Sequence, residues 1–115
     1  MSEQSDSDKP LRVEDGKELD RIIDQHGLVL VDCYTKGCTL CQAIEPVVGN
    51  VARVTDATVV MVNPANDLSL VEEYAIRSVP TLLLFENGQL VGRMADGFQG
   101  TDAVVEFVRA TTKRE

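Results

Sequence analysis

Residues Leu28-Val29-Leu30-Val31 are apolar at every position, and no other stretch constrains the chain as much. In an extended segment successive side chains point to opposite faces, so an unbroken apolar run makes a strand that needs cover above and below. Such a strand belongs in the middle of a sheet with helices on both sides. From Thr39 to Arg53, Cys41, Ile44, Val48, Val51 and Ala52 recur at helical spacing and predict an amphipathic helix, with Pro46 inside it as a source of a kink. Thr58–Asn63 then reads as a second strand. Strand, long helix and strand in that order form a right-handed parallel unit by default.

The rest of the chain can be assigned around this unit. Asp15 caps a helix whose buried face is Leu19, Ile22, Ile23 and His26, with Glu18 at capping-box spacing and Gly27 as the stop. Asn66 or Asp67 starts a short helix expected to bury Leu68, Val71, Tyr74 and Ala75, and Ser78-Val79-Pro80 breaks the chain after it. Thr81–Phe85 and Leu90–Met94 flank Asn87-Gly88, a hairpin turn signal, and a last helix from Thr101 buries Val104, Phe107 and Val108. The expected fold is α/β, with a central mixed β-sheet (βαβα then ββα) flanked by helices. At 115 residues the chain has one domain's length. That domain is placed at 11–112, between a disordered acidic tail at 1–10 and a short tail at 113–115.

Composition removes several function classes. Acidic residues outnumber basic ones 19 to 11 and no Lys/Arg cluster occurs, so a nucleic-acid partner has no electrostatic footprint. No apolar run exceeds four residues, against the ~20 of a membrane helix. Residues Met1–Pro10 lack the apolar core of a secretory signal, and three cysteines are too few for a disulfide-stapled scaffold, so a reducing, cytoplasmic setting is expected; the chain is read as a monomer. Only four lysines occur, a pattern that suits both a salt-adapted source and ordinary acidic solubility.

Chemistry begins where the first buried strand ends. Cys38-Thr39-Leu40-Cys41 opens the long helix, and cysteines three apart on a helix lie ~4.5 Å apart along the axis on nearly one face, within reach of a disulfide. The free N–H groups and positive dipole end of the first turn favour a thiolate at Cys38, and Lys36 adds positive charge nearby. Cys41 starts the apolar stripe and is the shielded sulfur, so Cys38 is expected to be the nucleophile and Cys41 the resolver of a mixed disulfide. Two readings compete. A zinc site would need Cys33 and His26 as further ligands, one on a strand and one closing a different helix; alternatively, the pair merely packs.

The run Val29-Leu30-Val31-Asp32, then Cys38-x-x-Cys41, Pro46, Tyr74-Ala75-Ile76-Arg77-Ser78-Val79-Pro80-Thr81-Leu82 and Phe85-Glu86-Asn87-Gly88 resembles the thioredoxin family in order and spacing over nearly all of residues 11–110. The resemblance implies a thioredoxin fold, a Cys38–Cys41 disulfide cycle and a buried acid at Asp32. It also implies a cis bond before Pro80 and a substrate groove formed with Val79 and Gly97. From the residues alone, Asp32 is either a strand end reaching solvent or a group with a protonation role, Pro80 is equally a plain strand-entry proline, and Gly97 is equally a loop glycine. Cys33 stands where many relatives have an aromatic and reads as a small core residue.

Departures from the family bear on fine function. Thr39-Leu40 replaces the usual Gly-Pro between the cysteines, which leaves the redox potential open; Gly37 replaces an aromatic; and Leu40 adds an apolar spot for substrates. Met61 stands where a basic residue is common, so no charge partner is expected for Asp32. The resemblance implies a thiol–disulfide oxidoreductase that reduces protein disulfides, needs no bound cofactor or metal, and draws electrons from a separate reductase of the thioredoxin-reductase type. A binding or redox-sensing module on the same fold, or a more oxidising oxidase or isomerase-like protein, is the alternative.

Overall fold

The computed structural model describes residues 9–112; most of the expected N-terminal tail, residues 1–8, and the C-terminal tail at 113–115 lie outside the described residues. The elements are β1 (Leu11–Val13), α1 (Gly16–Gln25), β2 (Leu28–Cys33), α2 (Thr39–Val54), β3 (Thr58–Val62), a 3-10 turn (Pro64–Asn66), α3 (Ser69–Glu73), β4 (Thr81–Glu86), β5 (Gln89–Met94) and α4 (Thr101–Thr112). They form one five-stranded sheet in the order β1-β3-β2-β4-β5. β1, β3 and β2 run parallel, and β4 and β5 antiparallel.

β2 has neighbours on both edges and helices on both faces, as its apolar run demands. Alternation divides its side chains. Val29, Val31 and Cys33 join Val60, Val62, Leu83 and Phe85 under α1 and α3, where Leu19, Ile23, Leu70 and Ile76 close the cluster. Leu30 faces the other way, with Val59, Leu82 and Leu84, under Ile44, Val48 and Val51 of α2 and Val104 and Val108 of α4. Asp32 and Met61 therefore lie on the α2 face.

Local signals explain most element boundaries. Asp15 Oδ1 accepts from the Glu18 amide at 2.9 Å, and Glu18 Oε1 accepts from the Glu14 amide at 2.9 Å, a capping box whose return bond falls one residue early. Asn87 and Gly88 take φ of +51° and +84°, both positive as a two-residue hairpin turn of this kind requires. α2 runs unbroken through Pro46, which is solvent-exposed.

The structure corrects four expectations. Leu11–Val13, read as lying before the first element, is an edge strand paired with β3; three residues are too few for a periodicity to register. An unexpected 3-10 turn precedes the short helix, capped by Asn63, whose side chain accepts from the Ala65 amide at 2.9 Å, while Asp67, one of the two expected caps, accepts from the Ser69 amide at 3.2 Å at the start of α3. This 3-10 turn delays α3 to Ser69, so that Leu70 within it and Ile76 after it are buried, Tyr74 packs against the core as expected, and Leu68 and Ala75 are exposed. The end of α1 falls at His26 in extended conformation, without a left-handed glycine at Gly27.

Candidate active site

Residues 34–38 connect the end of β2 to α2 and deliver the first cysteine to the helix start. Gly37 makes the turn at φ +78° with open space around it, a conformation that disfavours any residue with a β-carbon. Cys38 is the N-cap of α2, and its Sγ accepts from the Cys41 backbone N–H at 3.1 Å. Cys38 and Cys41 are joined in a disulfide, with Cα atoms 5.2 Å apart. A sulfur in that position receives an amide hydrogen and the positive end of a helix, both of which favour its anionic form once the bond is reduced.

The two sulfurs differ in access. Cys41 is 4% exposed and belongs to the buried stripe of α2, whereas Cys38 is only partly buried. The Val79–Pro80 bond is cis, and the Val79 carbonyl oxygen lies 3.9 Å from Cys38 Sγ. The Thr81 hydroxyl donates to the Ser78 carbonyl at 2.6 Å and fixes the loop before that bond. Pro80 is buried at the start of β4, while Gly97, at φ +84°, has Leu40 Cδ1 3.8 Å from where its β-carbon would sit. Leu40 and Phe98 are each 46% exposed. Val79 thus meets Cys38, and Gly97 meets Leu40, which lies between the two cysteines in sequence; Phe98 is an apolar neighbour of Gly97 in sequence that the residue patterns did not single out.

Asp32 is fully buried, and neither carboxyl oxygen has a hydrogen-bond partner among the described residues. Burial pushes its carboxyl up to about 7, the Glu45 carboxylate acts in the same direction, and the Arg12 guanidinium opposes them. The strand-end reading that let Asp32 reach solvent is therefore corrected: the residue pairs with Met61 of β3 and Leu82 of β4 and lies inside the sheet. No ion pair reaches Asp32 among the described residues, but one cation acts on it from a distance. Arg12 of β1 pairs with the same Met61, so Arg12, Met61, Asp32 and Leu82 form one row across four strands.

Over that row lies a pocket of about 140 Å³, lined by Arg12, Tyr34, Cys41, Gln42, Glu45 and Met61 among others. Arg12 forms an ion pair with Glu45, and its guanidinium stands 5.6 Å from the Tyr34 ring centre. Arg12 and Glu45 went unread in the sequence because β1 did; the signal available was the apolar–Arg–apolar alternation of Leu11-Arg12-Val13 after Pro10.

The further ligands that the competing zinc reading would need are engaged elsewhere. Cys33 is a free, buried cysteine, and His26 Nδ1 lies 3.4 Å from the Thr58 hydroxyl. Among the described residues no three side chains of metal-binding type come together, and no helix is long and apolar enough to cross a membrane.

A family model described as Thioredoxin matches residues 11–110. Thioredoxin 1 of Synechococcus elongatus is 37% identical over 86 residues, 73% of this chain and 71% of that protein. Thioredoxin of Chlamydia caviae is 31% identical over 83 residues, 71% of this chain and 80% of the other. Among solved structures, a mutant thioredoxin from Halobacterium salinarum NRC-1 has a TM-score of 0.88 at 36% identity, covering 95% of this chain and 96% of that one.

Proposed function

Because the chain belongs to the thioredoxin family and is a thiol–disulfide oxidoreductase, we propose that it works as a protein-disulfide reductase in which Cys38 attacks and Cys41 resolves. The asymmetry of the two sulfurs carries this reading: the accessible one caps a helix and the other is 4% exposed. The Cys38 thiolate attacks one sulfur of the partner's disulfide, that S–S bond breaks, and the partner's other sulfur leaves as a thiolate and takes a proton. Cys41 then gives its proton to the Asp32 carboxylate and attacks Cys38 Sγ. The Cys38–Cys41 bond forms, the second partner sulfur departs, and the partner is reduced by two electrons as this chain is oxidised.

Asp32 suits the proton step because a carboxyl held at about 7 exchanges protons readily at neutral pH. Val79, Pro80, Gly97 and Leu40 would seat the partner chain beside Cys38, with the backbone around Val79 available to an extended segment. A separate reductase would restore the dithiol, in a reducing compartment such as the cytoplasm, with the chain acting as a monomer and without a bound cofactor.

The test is turnover of a disulfide-containing protein by the reduced chain, with a chemical dithiol as electron source, together with its reduction potential. We expect multiple turnovers and a potential near the ~−270 mV of reducing members of this family. Failure to reduce the substrate would leave a docking or sensing module, and a potential near ~−120 mV would make the protein an oxidant of its partners.

A further inference from the structure

Asp32 sits where no water reaches it and where no neighbour on its own strand or the two adjoining strands carries charge: Met61 and Leu82 flank it, and Cys33 points to the opposite face. What titrates or is charged around it comes from farther out. α2 contributes Cys41 and, one turn on, Glu45; β1 contributes Arg12; and Lys36 and Tyr34 stand on the loop that shares the pocket with them. Arg12 lies two strands from Asp32 in the same row, so their backbones are ~10 Å apart, and its long side chain shortens that separation. Glu45 holds Arg12 at the mouth of the pocket, and Cys41 lies in the pocket wall.

We infer that the Arg12–Glu45 ion pair is a charge lid over the Asp32–Cys41 proton site, with Glu45 holding the proton on Asp32 and Arg12 drawing it off. The inference deepens the reading above and rests on Asp32 exchanging a proton with Cys41. Neither member of the pair touches the reacting sulfurs' partner; both are positioning residues that act through Asp32.

The geometry supports opposed roles. Buried in a medium of low dielectric, Asp32 responds to charges that water would screen at the surface. An ion pair presents it with both signs at once, so the pair as a whole perturbs Asp32 less than either member alone. The pocket they line is bounded by polar as well as apolar groups and is larger than a water molecule needs, which suits proton passage from Cys41 to solvent. The Arg12 and Glu45 side chains are 53% and 48% exposed, so the pair contributes little to stability and its removal leaves the fold in place.

The experiment follows the Asp32 side-chain carboxyl carbon by NMR through a pH titration, in the dithiol and disulfide forms, for the parent, Arg12→Gln, Glu45→Gln, the double variant and Arg12→Lys. Arg12→Gln should raise the Asp32 midpoint and Glu45→Gln should lower it, each by several tenths of a pH unit up to about one. The double variant should return close to the parent, and Arg12→Lys should stay there. The pH profile of the resolving step should move in the same directions. A merely structural role would shift melting temperature without opposite midpoint shifts. Midpoints that stay put, or that both move one way, overturn the inference. The titration needs no turnover, so an Asp32→Asn variant that resolves at the parent's rate would sink the proton step of the proposed function while leaving the lid's effect on Asp32 measurable.

Discussion

Asp32 and Cys33 are neighbours on β2, both buried and both ionisable, yet they face different worlds. Cys33 points into the apolar cluster under α1 and α3; burial pushes its thiol up to about 12, the Asp32 charge adds to this, and Arg93 opposes it. Asp32 points under α2, the helix that carries Cys41 and Glu45, and its carboxyl stands at about 7. Burial raises both groups. Only the residue on the α2 face ends in a range where it can trade protons at neutral pH, and only that face has a path to a reactive sulfur. A one-residue step along a strand thus separates a thiol held at about 12 from a carboxyl held at about 7, since side chains of a strand alternate between faces.

The largest effect expected from this contrast lies among the three cysteines. Cys38→Ser should abolish disulfide exchange, because it removes the accessible helix-capping sulfur; Cys41→Ser should still attack but accumulate mixed disulfides. In the dithiol form an alkylating reagent should modify Cys38 first, Cys41 more slowly and Cys33 only after unfolding. Mass spectrometry of timed samples checks the order. Modification of Cys33 in the native protein at a rate near that of Cys38 would break the comparison at its root.

Next in size is the energy held in Asp32. The unfolded chain ionises this carboxyl near 3.8 and the folded chain near 7, so folding is opposed as pH rises through that window and the penalty is complete above it. Asp32→Asn should therefore be more stable than the parent at pH 8, by on the order of 2–4 kcal/mol, with no gain at pH 3.5. Denaturant unfolding of both proteins in the disulfide form at the two pH values reads this directly. The same variant should slow resolution by Cys41 roughly 100-fold or more while leaving the first attack nearly unchanged, the usual range for loss of a general base. Equal stability at both pH values would mean that the carboxyl is less isolated than its missing partners indicate.

How much of this could be read beforehand follows from the length and periodicity of each signal. The two-sided run Leu28–Val31, the α2 stripe and the Asn87-Gly88 turn are strong local patterns, and each element they predict is present. The cysteine pair announces its own chemistry by spacing and position. What stayed hidden depends on partners far along the chain. β1 is three residues long and exists because β3 offers it an edge, so Arg12 could not be assigned to the row beneath α2. A 3-10 turn of three residues before α3 carries no periodicity of its own, so Leu70 and Ile76 rather than Leu68 and Ala75 join Tyr74 against the core. Met61 at the adjoining position leaves Asp32 without an ion pair, and the cation that acts on it from a distance, Arg12, lies one strand farther out.

The smallest effect concerns Cys33 itself, and its pH dependence is where the two faces can be told apart most sharply. Cys33→Ala deletes one sulfur from a packed apolar cluster, which should cost about 1 kcal/mol at pH 7 and leave turnover unchanged. Between pH 7 and 8 that difference should be flat, because the thiol is protonated in both folded and unfolded chains. Above about 9 the unfolded thiol ionises while the folded one, raised to about 12, does not, so the parent loses stability as pH rises through that window and the Ala variant is spared. At pH 10 the expected relief is about 1.4 kcal/mol, enough to bring the two proteins level or to reverse their order. Other titrating groups are common to both chains and drop out of the difference when both are studied in the disulfide form. If the gap at pH 10 equals the gap at pH 7, Cys33 ionises in the native state as easily as in the unfolded one, and the apolar face of β2 does not insulate it.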